Sequence, residues 1–189
     1  IPHISTGDIF RKHLKEGTDL GELAKSFINK GELVPDRVVC DILASRLLES
    51  DCAAGSLLDG FPRTIPQAEM LSDWLAEHNR GIGAVINIQV ESPVLVARLS
   101  GRRTCLSCGA TYHVDHNPPA TGSVCDRCGG EVVQRKDDAE DTVRARLNTY
   151  VNDTAPVLSW LESRVQVHTV DGDQPIDTVR GQILAAIKD

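Results

Sequence analysis

The apolar positions of this chain fall into two rhythms. Short runs of four to six residues, Ile1 to Ile4, Ser56 to Asp59, Ala84 to Gln89 and Val165 to Val170, read as strands. Between them lie longer segments whose apolar residues recur three and four apart. This alternation predicts an α/β unit built on a largely parallel sheet. The first strand runs into Ser5-Thr6-Gly7-Asp8, where a hydroxyl at the N-cap and a carboxylate three residues on start a helix. Ile9, Phe10, His13 and Leu14 share one face of it, and Gly17 supplies the left-handed stop. A second helix over 20–30 turns Leu20, Leu23 and Phe27 inward and ends at Gly31. A third follows Pro35 with the stripe Val38, Val39, Ile42, Leu43 and Leu47.

Further along, Pro66 to His78 carries Met70, Leu71, Trp74 and Leu75 on one face. Ser92 is expected to cap the next helix with Pro93 in its first turn, which places Arg98 and Arg102 four apart on the same side. Residues 101–138 then break the rhythm with Gly, Pro and Cys. They are too long for a plain loop inside a compact domain and read as an inserted subdomain. Two helices, about Asp138 to Val151 and Pro156 to Ser163, lead to the last strand, and a final helix spans Pro175 to Ile187. There is no internal repeat.

Composition narrows the function classes. At 189 residues and 41% hydrophobic, the chain is long enough to hide about 70% of its unfolded surface without disulfides or metal. No apolar run approaches the roughly 20 residues of a membrane helix, and no charged-then-apolar leader opens the sequence, so a cytoplasmic chain without a membrane partner is expected. The net charge of −7 argues against a general nucleic-acid binder. Any phosphate ligand must be met by local arginines.

Cys105-x-x-Cys108 and Cys125-x-x-Cys128, with 16 residues between the pairs, have the spacing of a four-thiolate zinc ribbon, each pair followed at once by Gly109 or Gly129. Two disulfides or two redox pairs are the alternatives, and His113 and His116 lie within the loop as competing ligands. A closed zinc site holds structure and does no Lewis-acid chemistry. Cys40 and Cys52 read as ordinary thiols.

Leu57-Leu58-Asp59-Gly60-Phe61-Pro62-Arg63 is a strand ending in Asp-Gly-x-Pro-Arg, and ligands of open α/β sheets sit at such carboxyl ends. A capped turn with a solvated Arg63 is the plainer reading. Arg11, Arg98, Arg102, Arg135 and Arg146 shift the balance, because guanidinium forks match phosphate oxygens with two hydrogen bonds each.

Taken together, Ile1 through Asp8, Leu57 through Arg63 with Thr64-Ile65-Pro66-Gln67, Gly101-Arg102-Arg103, and Arg135-Lys136-Asp137-Asp138 through Arg144-Ala145-Arg146-Leu147 resemble adenylate kinase, in its long-lid bacterial form with zinc in the lid. The likeness runs in order over essentially the whole chain. It implies a P-loop-kinase-like parallel sheet flanked by helices, with a core of 1–4, 35–100 and 139–189, a mobile AMP-binding insertion of 5–34 and a zinc-binding lid of 101–138. It also implies a monomeric phosphotransferase that converts ATP plus AMP to two ADP with Mg²⁺. Thr6, Arg11, Glu32, Leu33, Val34, Gly60, Phe61, Pro62, Arg63 and Gln67 match the family's AMP contacts. Asp59 matches the carboxylate that orients Mg²⁺ waters. Arg98 and Arg102 match arginines that approach the ATP phosphates, Arg135 and Arg146 the pair that reaches across both nucleotides. Thr111, Tyr112 and Gln174 match contacts near the ATP base.

The likeness has one gap. The family's Gly-x-x-Gly-x-Gly-Lys phosphate loop occurs nowhere in these residues, and Ile1 matches a point just after the helix that follows that loop. The strand preceding it would lie between the Ser56 and Ala84 strands. A longer natural chain is therefore expected, and the 189 residues alone are expected not to turn over ATP. A non-catalytic AMP-binding relative and a zinc-ribbon interaction module are the competing functions. The second has only Tyr112 and Arg127 in its loop to offer a nucleic acid.

Overall fold

The computed structural model describes residues 1–188. Strand β1 (His3–Ser5) leads into α1 (Thr6–Glu16), α2 (Asp19–Ile28) and α3 (Asp36–Leu47). Strand β2 (Leu57–Asp59), α4 (Ile65–Glu77), β3 (Val85–Gln89) and α5 (Ser92–Gly101) follow. Three short strands, β4 (Arg102–Cys105), β5 (Thr111–His113) and β6 (Val132–Val133), precede α6 (Glu140–Thr149), α7 (Ala155–Glu162), β7 (Val167–Asp171) and α8 (Ile176–Lys188).

The parallel pairing expected from the sequence is present, but not as one sheet. β1 pairs with β2, Ser5 opposite Asp59, and β3 pairs with β7, Val85 opposite Val167. No ladder joins β2 to β3 among the described residues, so each keeps one backbone edge unpaired. Leu57 and Ile88 on these strands are each 53% exposed. Residues 102–133 form a separate antiparallel sheet in the order β5-β4-β6.

The first helix follows its local signals. Ser5 Oγ accepts the Asp8 N–H at 3.3 Å, and Gly17 closes the helix at φ 65°. Leu23 corrects the expected stripe of α2, because it is 44% exposed while Gly21 and Ala24 are buried. A Cβ at Gly21 would collide with the His13 carbonyl. The two helices meet through small residues, and that close approach rotates Leu23 outward.

Helix α5 brings two more corrections. Glu91 occupies the N-cap with no side-chain bond, and Ser92 is the first helical residue, the start resting on Pro93. Arg102 leaves the helix with extended backbone (φ −64°, ψ 140°) and pairs with His113 in β4. It therefore shares no helix face with Arg98. The helices expected at 138–151 and 156–163 are one helical run instead, joined by a π turn at Tyr150–Thr154. Pro156 explains the widening, since its ring would clash with the carbonyl four residues back in a regular α-helix.

The main core gathers Ile4, Phe10, Val34, Leu43, Leu47, Phe61 and Leu71 from β1 and α1 through α4. Ala68, Val157 and Leu161 join α4 to α7, and Cys105, Ala110, Tyr112, Cys125 and Val132 form the small core of the antiparallel sheet. Cys52 is fully buried in the main core, and Cys40 is half-buried on α3.

Candidate active site

The carboxyl end of β2 begins the site. After Asp59, Gly60 turns at φ 68°, and its carbonyl accepts the Thr6 hydroxyl at 3.3 Å and Arg63 Nε at 2.7 Å. That left-handed backbone is strained for any residue with a Cβ, so the turn favours glycine. Helix α4 then starts with Thr64 accepting the Gln67 N–H at 3.2 Å. The buried Gln67 carboxamide accepts the Arg63 N–H at 2.8 Å and donates to Asp36 Oδ1 at 2.8 Å. Asp36 Oδ1 also accepts the Thr64 hydroxyl at 3.0 Å.

The π turn reaches the same loop from the far side. Thr154 donates to the Arg63 carbonyl at 2.9 Å, and Thr149 donates to the Gly31 carbonyl at 3.1 Å. Gly31 sits at φ 76° where a Cβ would press at 3.0 Å on both the Arg146 side chain and the Thr142 carbonyl. These contacts bring the 31–34 turn, the Gly60–Arg63 loop and α6 around one cavity of about 640 Å³. Thr6, Arg11, Glu32, Leu33, Val34, Gly60, Pro62, Arg63, Gln67 and Arg146 line it, together with the apolar Ile88, Leu95 and Leu99. Phe61 turns into the core behind it.

The electrostatics are those of an anion site. Burial lowers the pKa of the Arg63 guanidinium, and the charges of Arg146 and Arg11 lower it further against the pull of Asp59. Burial lowers Arg135 likewise, helped by Arg11 and Arg102. Arg11, Arg63 and Arg146, from three parts of the chain, thus share one cavity, and Arg135 stands outside its lining beside Arg11. Burial works against ionising Asp8, yet its hydrogen bond with Arg11, the charge of Arg11 and that of Arg135 beyond hold its carboxyl below the ordinary range. Asp59 faces His3 at 3.1 Å.

The remaining expected residues stand outside the cavity lining. Arg98 donates to the Gly172 carbonyl at 2.8 Å and pairs with Asp173 at 3.2 Å, on the turn where Gln174 donates to Asp171 at 2.9 Å. Arg102 is committed to Asp138, whose hydrogen bonds raise its pKa. Thr111 is exposed on β5, and the buried Tyr112 hydroxyl accepts the Asp126 N–H at 2.8 Å and lies 3.3 Å from Cys125 Sγ. Asp36, Asp138, Thr149 and Thr154 are the positioning groups that sequence reading missed. Their partners lie far away in the chain, and no local motif announces them.

The four sulfurs of Cys105, Cys108, Cys125 and Cys128 lie within 4.8 Å of one another. Cys105 and Cys128 are 3.5 Å apart, Cys108 and Cys125 3.6 Å, too far for S–S bonds and close to the ~3.8 Å edge of a tetrahedron with ~2.3 Å metal–sulfur bonds. The Tyr112 hydroxyl pulls the Cys125 thiol down to about 6 and the Cys108 N–H lowers Cys105, while Cys128, drawn down by the Gly130 N–H, is pushed up overall by its hydrogen bonds with Cys108 and Cys105. The set can hold one metal ion as thiolates. His113 and His116 stack on each other and are not members of the cluster.

Known proteins are similar to this chain over nearly its whole length. A family model described as adenylate kinase matches residues 1–166. Proteins named adenylate kinase from Methanocella arvoryzae and Symbiobacterium thermophilum are 51% and 52% identical over 188 residues, covering all of this chain and 87% of each relative. One from Bacillus licheniformis is 52% identical over 183 residues, covering 97% of this chain and 84% of its own.

Proposed function

The chain belongs to the adenylate kinase family, a family of phosphotransferases, and from that premise we propose that its central cavity is the AMP side of a reversible transfer from ATP to AMP that yields two ADP. The observation that carries this reading is the convergence of Arg11, Arg63 and Arg146 on one cavity that Gln67 also lines, three guanidinium groups that a phosphate would engage. The adenine lies toward Gln67 and Val34, the phosphate toward Arg63, and Arg146 and Arg135 reach across to the transferred group.

Phosphoryl transfer asks little covalent chemistry of a protein. Alignment and positive charge lower the barrier, so no general base is assigned. Arg63, with its backbone held by Gln67 and Thr154, is pre-set in geometry before substrate arrives. Arg102 and Arg98 act from the base of the 101–138 insertion on the ATP side, with Thr111, Tyr112 and Gln174 supplying backbone contacts to its base. Closure of that insertion and of the 5–34 segment excludes the water that would hydrolyse ATP. Asp59, a carboxylate at the strand end, would hold the water shell of Mg²⁺, whose bound charge would serve to neutralise the ATP phosphates. The four thiolates would hold zinc as a structural clasp. The reading includes a cytoplasmic monomer, and no helix among the described residues is long and apolar enough to cross a membrane.

Equilibrium binding tests it. One AMP per chain is expected, with adenosine at least about 100-fold weaker because the arginines have no phosphate to meet. Equal affinity for the two overturns the placement.

A further inference from the structure

Gln67 is 2% exposed, and its carboxamide is held at both ends. The oxygen accepts the Arg63 N–H, and the nitrogen donates to Asp36 Oδ1, each at 2.8 Å. Asp36 is itself fixed by the Thr64 hydroxyl at 3.0 Å, and Thr64 accepts the Gln67 N–H at 3.2 Å. A carboxamide has two N–H donors and two oxygen lone pairs. One donor and one acceptor are therefore committed, and one of each is left for a ligand in the cavity that Gln67 lines.

The committed bonds also fix their order. Turned over, the amide would set its NH₂ against the Arg63 N–H and its oxygen against the Asp36 carboxylate, donor on donor and acceptor on acceptor. The cost of two such buried mismatches forbids the flip. The free edge then offers an acceptor beside a donor in one sequence only. A 6-aminopurine presents its amino donor beside the N1 acceptor and matches it. A 6-oxopurine presents an oxygen acceptor beside an N1–H donor and opposes it at both positions.

We propose that Asp36 is the positioning residue that sets base choice, holding the Gln67 carboxamide in the single orientation that accepts a 6-aminopurine monophosphate and rejects a 6-oxopurine one. This rests on the cavity being the monophosphate site. Asp36 needs no contact with the nucleotide to act. Its removal leaves Arg63 as the only lock and lets the amide turn to suit either base.

AMP and IMP differ at this edge and nowhere else, so their dissociation constants provide the test. The wild-type protein is expected to favour AMP by at least about tenfold, and Asp36→Ala to reduce the IMP-to-AMP ratio by about tenfold. Asp36→Asn retains an acceptor oxygen and is expected to keep the ratio within about threefold of wild type. If the alanine protein does not fold, Asp36→Ser repeats the test with a residue suited to a helix start. A residue that merely supported α3 would lower the melting temperature and shift both constants together. An alanine or serine variant that binds AMP with the wild-type ratio overturns the proposal, as does a wild-type protein that binds AMP and IMP alike. A wild-type protein that binds neither nucleotide overturns the cavity assignment, and the role of Asp36 with it.

Discussion

Arg102 closes a two-pronged ion pair on Asp138, with Nε 2.8 Å from Oδ2 and Nη2 2.6 Å from Oδ1, and Asp138 has no exposed surface. This bond fastens the first strand of the 101–138 insertion to the turn that precedes α6. Arg146 approaches the same carboxylate at 3.7 Å, so one buried anion sits between an arginine at the base of the 101–138 insertion and an arginine of the cavity.

Removing Arg102 therefore leaves a buried charge with a weaker partner. Arg102→Ala is expected to destabilise by about 3 kcal/mol, the low end for a broken buried pair because Arg146 remains nearby. Thermal unfolding should fall by about 6–12 °C. A melting temperature within a degree or two of wild type contradicts the role given to this pair.

Thr154 offers a milder lesion. Thr154→Val keeps the shape and deletes the donor to the Arg63 carbonyl, so AMP binding should weaken about fivefold, with Thr154→Ser near wild type. Calorimetric titration of the two variants distinguishes a lost hydrogen bond from a disturbed π turn, which both would share.

The cysteine cluster should act through stability alone. Elemental analysis is expected to find one zinc per chain, and Cys105→Ser or a strong chelator to remove it and lower the melting temperature. AMP affinity should change less than about twofold, because no cysteine of the cluster lines the cavity. Loss of AMP binding at temperatures well below melting would show that the insertion shapes the AMP site.

A pH dependence follows from Asp51. Its side chain accepts two hydrogen bonds from Arg46, at 2.8 and 2.7 Å, and these hold the carboxyl below its ordinary range. The folded value is the lower one, so the stabilisation is complete above the unfolded carboxylate range near pH 4 and is lost as pH falls through the folded value. The stability difference between wild type and Asp51→Asn should be constant from pH 5 to about 7 and shrink below about pH 4. Denaturant titrations across that range would expose a difference that instead grows on acidification.

What could be read from the sequence was local. Ser5 and Gly17 bracket α1 because a cap bond and a left-handed turn involve residues three or four apart. The cysteine pairs and the Asp59–Arg63 turn were legible for the same reason. Asp36 bonds to partners 28 and 31 positions away, and nothing near Pro35 distinguishes it from an ordinary helix-start carboxylate. Arg102 kept the helical spacing of Arg98 on paper, yet pairing with His113 takes it into β4. Leu23 lost its place inside to Gly21 and Ala24, whose small size lets α1 and α2 touch. The parallel strands were legible from their short apolar runs, and the structure pairs them as β1-β2 and β3-β7.

The most direct test of the account is an AMP titration of the wild-type protein against Arg63→Ala. Arg63 of the arginine cluster is half-buried at the cavity and keeps no carboxylate hydrogen bond of its own among the described residues, so an AMP dissociation constant about 30–100 times larger is expected in the variant. Adenosine affinity should stay unchanged. An AMP constant that matches wild type would contradict the claim that this cluster receives the phosphate.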